Sequence, residues 1–203
     1  GYVTEGRNLY LSRTGKDNGS CDQKNPCKTI GRAVTLATDD DEIYLDGTNT
    51  GKNPYTCDSG TSHPGIYINK SLSLIGFGNP LPRIRCPGGS FLAFNGSVHA
   101  LTIFSENMAG ISVDLAHTNQ DISFDLTLEN VTLIHNQFSS KGLISLNMKN
   151  GNHIIHFQDV TFIDNCASGC QNEPSTECIV QSTRAAVTIF IDSSHFQGQQ
   201  TRL

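Results

Sequence analysis

Acidic side chains are the first candidates for chemistry, because cleavage of a glycosidic bond needs two carboxyl groups that flank it. The sequence has one acidic run, "DDD" at 39–41, and three isolated candidates, Asp121, Asp125 and Asp164. The run follows a predicted helix and is expected to form a solvated helix-to-strand corner. The isolated residues meet only if neighbouring repeats bring them together. The sequence therefore predicts no catalytic residue.

Basic residues and histidines give no clearer site. Arg83 and Arg85 alternate along one predicted strand, so both are expected to point outward from it. The seven histidines are scattered, and His153 and His156 are three residues apart on a strand, hence on opposite faces. No Cys and His residues have the spacing of a zinc site. We predict neither a metal site nor a cofactor.

Seven cysteines are many for a chain of 203 residues. They are either buried thiols of a cytosolic protein or disulfides of a protein from an oxidising compartment. Cys21 and Cys27 bracket a short loop and are predicted to pair, and Cys57 and Cys86 are a second candidate pair. Two of the remaining three are expected to pair, leaving one free or bonded outside the chain. Those three are Cys166, Cys170 and Cys178.

Four N-x-S/T triplets favour the oxidising compartment, because this triplet is the acceptor for N-glycosylation in secreted proteins. Three of the four precede repeated strands and are expected to decorate one corner of the structure. Together with the cysteines, they predict a secreted or cell-surface glycoprotein. The four acceptors are Asn18, Asn69, Asn95 and Asn130.

Charge and hydropathy exclude other classes. The net charge is −5 and no basic cluster occurs, which argues against a nucleic-acid partner. No run of 18 apolar residues occurs, so no membrane span is predicted. Hydrophobic residues make up 36% and charged residues 16% of the chain, and the abundant Gly, Ser, Thr and Asn suit turns and exposed strands.

A repeat emerges when "LENVTLIHNQF" is compared with "FQDVTFIDNCA". The same apolar-x-apolar pattern recurs along the chain at intervals of 34, 29, 29, 30, 29 and 34 residues. The first residues of these patterns are predicted to stack in one interior file, with Tyr10 and Tyr44 facing outward beside it. The file consists of Leu9, Ile43, Leu72, Leu101, Val131 and Val160.

Each interval holds about three short alternating runs, which predicts three strands per turn. Stacked turns of this kind predict an all-β fold, a right-handed parallel β-helix of about seven rungs. A β-sandwich fits the strand spacing but not the fixed recurrence, and the leucine-rich repeat pattern is missing. Residues 28–41 predict an amphipathic helix that covers the first turn. We expect a single domain over 1–203, divided into 1–41 and 42–203.

The first 80 residues resemble pectin-lyase-like right-handed β-helix proteins. Similar positions include Pro26, Thr29, Ile30 and Ala33, followed by the strand "IYL" at 43–45 and "SLSLIGFG" at 71–78. The resemblance implies an extended strand, a polar loop, a short helix and a second strand. Members of this superfamily include polysaccharide lyases, glycoside hydrolases, adhesins and surface proteins, so the fold does not decide the function.

Three functions follow from these patterns. The first is a non-enzymatic extracellular module for adhesion or surface assembly, which contacts itself, another extracellular protein or glycans. The contact is expected through an uncapped C-terminal end at "SSHFQGQQTRL". The second is a lyase or hydrolase acting on acidic polysaccharide. The third is a carbohydrate-binding module, which an aromatic content of 7% and the absence of Trp disfavour.

Overall fold

The computed structural model of the protein describes the N-terminal region almost continuously and the rest of the chain in shorter segments. The described residues are 6–48, 50, 53–56, 66–68, 70–86, 91–92, 95–99, 102–105, 111–114, 124–134, 137–138, 144–147, 153–163, 166–167, 177–178, 180–183, 187–197 and 201–202.

One helix, α1, spans Ile30–Leu36. Thr29 is its N-cap, and the hydroxyl of Thr29 accepts a hydrogen bond from the backbone N–H of Arg32 at 3.2 Å. The helix is shorter than the predicted stretch 28–41, because the backbone is already extended at Ala37. The apolar spacing nevertheless defines its buried face. That face consists of Ile30, Ala33 and Val34.

The described strands form five sheets. The seven-stranded sheet has the spatial order β1 (Asn8–Leu11), β2 (Glu42–Asp46), β5 (Ser71–Phe77), β8 (Asn95–His99), β11 (Phe124–Glu129), β15 (His153–Gln158) and β20 (Val187–Asp192). The six-stranded sheet has the order β21 (His195–Gln197), β16 (Thr161–Ile163), β12 (Thr132–Ile134), β9 (Thr102–Ser105), β6 (Arg83–Cys86) and β3 (Tyr55–Thr56).

The three other sheets are smaller. The five-stranded sheet has the order β19 (Val180–Thr183), β14 (Ile144–Asn147), β10 (Ile111–Asp114), β7 (Phe91–Leu92) and β4 (Ile66–Tyr67). The two-stranded sheets pair β13 (Gln137–Phe138) with β17 (Cys166–Ala167), and β18 (Glu177–Cys178) with β22 (Thr201–Arg202).

Every strand pairing among the described residues is parallel, which excludes the antiparallel β-sandwich for this part of the chain. In the seven-stranded sheet, paired residues are 24 to 34 positions apart, as in Ser71 with Asn95 and Asn8 with Glu42. The recurrence in the sequence therefore marks strands that pair with one another.

The core is built from alternate residues of these strands, because successive side chains of a strand point to opposite faces. Ile43 and Leu45 are buried on β2, while the residues between and beside them are partly exposed. On the six-stranded side, the ring of Phe162 meets the ring of Phe157 edge to face, with centroids 5.5 Å apart. Each fully buried apolar side chain of this size contributes about 1.5–3 kcal/mol.

The right-handed parallel β-helix predicted from the sequence is wrong as the fold class. The described residues form separate parallel sheets and one short helix, with no single closed or solenoid sheet. The predicted interior file also fails, because Ile43 pairs with Leu74 rather than Leu72. Val131 and Val160 lie immediately before strands of the six-stranded sheet, whereas Leu72 belongs to the seven-stranded one. Leu101 lies outside the described residues.

The predicted interior file fails because the apolar-x-apolar pattern is typical of any strand with one buried face. Strands of two different sheets can therefore fall on one sequence interval, as β5 and β12 do. The division into 1–41 and 42–203 within a single domain stays a prediction.

Candidate functional site

Three aromatic rings meet on the outer face of the seven-stranded sheet. Tyr10 of β1 pairs with Tyr44 of β2, and their rings stack with centroids 5.2 Å apart and planes 17° from parallel. Phe77 of β5 meets the ring of Tyr44 edge to face, with centroids 6.4 Å apart. Phe77 is 41% exposed, so the aromatic cluster is accessible to solvent at this end.

Strand alternation places these rings outside. Tyr10 stands between the buried Leu9 and Leu11, and Tyr44 stands between two buried residues of β2. The hydroxyl of Tyr44 donates a hydrogen bond to a carboxylate oxygen of Glu42 at 2.7 Å. This bond is the main cause that raises the pKa of Tyr44 above its ordinary value, and partial burial is the second. The Tyr44 ring is thereby held in one orientation and its hydroxyl stays protonated.

A cleft of about 440 Å³ adjoins the aromatic cluster. Two residues with polar side chains, Gln23 and Asp46, line the cleft together with the rings. One carboxylate oxygen of Asp46 accepts a hydrogen bond from the backbone N–H of Thr48 at 2.8 Å. We call this the aromatic cleft. Its lining consists of Tyr10, Leu11, Gln23, Pro26, Tyr44, Asp46 and Phe77.

Part of the lining of the aromatic cleft, Gln23 and Pro26, belongs to the loop between β1 and α1, which is fixed to β1. Cys21 and Cys27, predicted as a pair from their spacing, form a disulfide with Cα atoms 4.7 Å apart, and both are fully buried. Tyr10 donates its backbone N–H to the Cys21 carbonyl at 2.6 Å and accepts one from Cys27 at 2.9 Å. The segment that carries Gln23 and Pro26 is therefore attached to the sheet at both ends.

Two aspartates organise the same loop. Asp17 accepts hydrogen bonds from the backbone N–H groups of Lys28 and Thr29, at 2.8 and 3.0 Å, and from the Thr29 hydroxyl at 2.9 Å. Burial raises the pKa of Asp17, but these hydrogen bonds outweigh burial and lower it. Asp22 accepts a hydrogen bond from the Ser20 hydroxyl and others from the turn that follows, which lowers its pKa. Both carboxylates stabilise turns.

The acidic run at 39–41 forms the expected corner, but it is not wholly solvated. Asp39 accepts a hydrogen bond from the Ser71 backbone at 2.9 Å, and Asp40 is exposed with φ at 68°. Asp41 is only 1% exposed, and its carboxylate accepts bonds from Thr38 and from the backbone and guanidinium of Arg7. The run is a structural corner that joins β1, the end of α1 and β5.

A lysine completes this corner. The ammonium group of Lys70 donates hydrogen bonds to the carbonyls of Val34 and Ala37, both at 2.7 Å. These carbonyls belong to the last turn of α1, where a positive charge also interacts favourably with the helix dipole. The sequence pattern gave no sign of this contact, because Lys70 lies more than 30 residues after the helix.

The other acidic and basic candidates do not converge on a site in the described residues. Arg83 and Arg85 flank the buried Ile84 on β6 and are partly exposed. Asp125 lies on β11 opposite Ile154, and Asp121 and Asp164 lie outside the described residues.

No histidine of the described part belongs to a metal-binding group. The ring of His156 stacks on Phe190 with centroids 4.8 Å apart, on the outer face of the seven-stranded sheet. His153 begins the same strand as His156. Within the described segments, no group of three or more His, Cys, Asp or Glu residues could hold a metal ion.

The predicted glycosylation sites lie in different places. Asn18 is exposed in the loop between β1 and α1, three residues before Cys21. Asn130 is exposed between β11 and β12, with φ at 51°, a left-handed conformation that Asn tolerates. Asn95 begins β8, whereas Asn130 follows the last residue of the neighbouring strand β11. These two therefore lie at opposite ends of two neighbouring strands, so the prediction that they share one corner is wrong. Asn69 lies outside the described residues.

Disulfide pairing of the remaining five cysteines stays a prediction. Cys86 ends β6, Cys166 begins β17 and Cys178 ends β18. Cys57 and Cys170 lie outside the described residues. Among the helical residues that the structure describes, none forms a helix long and apolar enough to cross a membrane.

Comparison with known proteins adds no neighbour: no protein-family model, no curated protein and no solved structure matches this chain. The resemblance to pectin-lyase-like proteins thus stays a prediction. The aromatic cluster is the feature that the sequence did not predict as a site. Its signal is the outward position of Tyr10 and Tyr44 on neighbouring strands, but the contribution of Phe77 depends on the register of β5.

Proposed function

We propose that the chain is an extracellular glycoprotein module with a structural, adhesive or surface-assembly role. The observation that carries this proposal is the loop that holds both the Cys21–Cys27 disulfide and the exposed acceptor Asn18. Disulfides persist in oxidising compartments, and N-glycosylation needs an exposed Asn in the secretory pathway. A secreted or cell-surface location accounts for both features.

The edge of the seven-stranded sheet supports a role in assembly. In the described part of the chain, β20 is the last strand of this sheet. Phe190 is 52% exposed and Ile191 is 41% exposed. Val187, Thr188 and Ile189 add to the high β-propensity of the strand. An exposed apolar edge strand is a template for pairing with another chain. We propose a second copy or another extracellular protein as its partner.

Sedimentation of the purified full chain over a range of concentrations tests the assembly role. We expect reversible association of the wild type and a monomeric Phe190→Asp variant, because a charge on the open edge opposes strand pairing. Thr188→Ser is the matched control, since Thr188 is exposed on the same face of β20. A wild type that stays monomeric at every concentration contradicts self-association. A complex that forms equally with Phe190→Asp contradicts the assignment to β20.

A further inference from the structure

We infer that the aromatic cleft binds a neutral sugar ring of a glycan. This inference rests on the proposed extracellular contact role and names the ligand class of one contact. The volume of the aromatic cleft, about 440 Å³, lies within the usual range of about 300–1,000 Å³ for small-molecule sites. Such sites combine mainly apolar walls with a few polar groups that fix the orientation of the ligand, and this cleft has both.

The apolar wall matches the C–H face of a pyranose. Tyr10, Tyr44 and Phe77 come from three adjacent strands and form one continuous cluster of rings. Aromatic side chains bury large apolar areas while tyrosine also offers a hydroxyl at its tip. A sugar ring is amphipathic in the same sense, with C–H groups on its faces and hydroxyls around its edge. Pro26 and Leu11 extend the apolar lining.

The polar groups match sugar hydroxyls. Within the described residues, the side chain of Gln23 makes no hydrogen bond, and one oxygen of Asp46 bonds only to the N–H of Thr48. An amide both donates and accepts, and a carboxylate accepts, so the pair can bind neighbouring hydroxyls, each of which does both. The Thr48 contact fixes the carboxylate without using its other oxygen.

Charge favours a neutral sugar over an acidic one. Among the residues that the structure describes, the lining contains one carboxylate and no Lys, Arg or His side chain. A uronate or sulfated sugar would place its negative charge beside Asp46 without a basic partner, which is unfavourable in a partly closed cleft. The cleft therefore differs from the acidic-polysaccharide site considered from the sequence.

The cleft is organised before any ligand binds. The disulfide and the two backbone hydrogen bonds to Tyr10 hold the loop wall against the sheet. The bond between Tyr44 and Glu42 fixes the central ring. Groups that are already ordered lose little conformational entropy on binding. The few contacts that a single sugar ring makes can therefore give measurable affinity.

Calorimetric titration of the full chain with single oligosaccharides tests the inference. The probes are cellohexaose, maltohexaose, mannohexaose and chitohexaose, with oligogalacturonate and tetramethylammonium chloride as the charged comparisons. We expect one or more neutral probes to bind at one site per chain and the charged probes not to compete. Tyrosine fluorescence gives a second readout, because the chain has no Trp.

Two variants locate the binding. Phe77→Ala removes an exposed ring and is expected to weaken binding about five- to tenfold. Gln23→Ala removes a hydrogen-bond partner and is expected to weaken it about fivefold. Lys24→Ala is the matched control for Gln23→Ala, because Lys24 is exposed in the same loop and does not line the cleft. Circular dichroism confirms that each variant folds.

Three outcomes overturn the inference. They are the absence of binding by every neutral probe, binding of tetramethylammonium or oligogalacturonate alone, and binding that Phe77→Ala and Gln23→Ala leave unchanged. The proposed function fails separately, through the absence of secretion, glycosylation and assembly. Sugar binding by a chain that lacks those properties would leave the cleft inference standing.

Discussion

The carboxylate of Asp41 and the guanidinium of Arg7 join two distant parts of the chain at 2.9 Å, and Asp41 is 1% exposed while Arg7 is 57% exposed. The same carboxylate accepts the backbone N–H groups of Arg7 and Thr38, at 2.7 and 2.8 Å. A nearly buried acid thus connects the start of β1 with the segment after α1. These hydrogen bonds to a charged group are worth more than the exposed ion pair.

Asp41→Asn is expected to lower the free energy of unfolding by about 2–3 kcal/mol. The NH₂ of the new amide is a donor, so it cannot accept the hydrogen bonds that a carboxylate oxygen accepts at this place. Urea unfolding measures the change. Asp40→Asn is the control, since Asp40 is exposed and Asn tolerates its left-handed backbone; it should change stability by less than about 0.5 kcal/mol. Equal effects of the two substitutions would contradict the role of Asp41.

Acid should weaken the same contact. Burial raises the pKa of Asp41, but the hydrogen bonds from Arg7 and Thr38 outweigh burial and hold it below 3.8. A group with a depressed folded pKa stabilises the protein above its unfolded pKa, and this stability is lost as pH falls through the folded value. We expect the wild type to lose stability below about pH 4 more steeply than Asp41→Asn. Parallel curves would show that Asp41 is not responsible.

Lys70 is predicted to stabilise the end of α1. Lys70→Met keeps most of the side-chain volume and removes two hydrogen bonds to helix carbonyls, so it should cost about 1–2 kcal/mol. Lys24→Met is the control for loss of one positive charge, because Lys24 is exposed in the loop. Thermal unfolding followed by circular dichroism compares the two, and a control variant as unstable as Lys70→Met would refute the specific contact.

Alkaline pH should destabilise the protein through its tyrosines. Burial, and secondarily the charge of Asp46, raises the pKa of Tyr55, whose hydroxyl donates to the carbonyls of Leu11 and Asp46. The pKa of Tyr44 is also raised. A tyrosine whose pKa is raised in the folded state stabilises the protein, and this contribution is complete below the ordinary tyrosine pKa of 10.0. It is lost as the pH rises through the pKa of the folded state.

Urea unfolding of the wild type and Tyr55→Phe between neutral pH and strongly alkaline pH measures this effect. The wild type should lose stability more steeply above pH 10 than the variant, which has one fewer ionising group. Phenolate absorbance reports how many of the five tyrosines stay protonated in the folded state, and the comparison with Tyr55→Phe assigns one of them. Identical slopes would mean that Tyr55 does not resist ionisation.

The disulfide loop makes a further prediction. Replacing Cys21 and Cys27 together by Ala should lower the free energy of unfolding by about 2 kcal/mol, because the cross-link closes a short loop. The loop also carries one wall of the aromatic cleft, so sugar binding should weaken in the same variant. Denaturant unfolding and titration check the two effects, and a variant as stable as the wild type would contradict the structural role of the cross-link.

Local features of the fold follow from the sequence because they depend on neighbouring residues. The alternation of Leu9, Tyr10 and Leu11 predicts one buried and one outward face of β1, and that is what the strand has. The spacing of apolar residues in 28–41 predicts a helix, although it ends earlier than expected at Leu36.

Features that depend on long-range register do not follow from the sequence. A repeat of about 30 residues indicates which strands recur, but a shift of two residues keeps the same face buried. Ile43 can therefore face Leu72 or Leu74 without any change in pattern, and the structure selects Leu74. The same register pairs Phe77 with Asp46 and places the Phe77 ring against the ring of Tyr44. This contact forms part of the aromatic cleft. The burial of Asp41 is equally invisible, because its partner Arg7 is 34 residues away.

The most direct test of the proposed extracellular role is peptide mass spectrometry of the protein released by secreting eukaryotic cells, digested without reduction. We expect a cross-linked peptide pair containing Cys21 and Cys27, and glycans on the exposed Asn18 and Asn130. Free thiols at both cysteines together with unmodified Asn18 and Asn130 would contradict it.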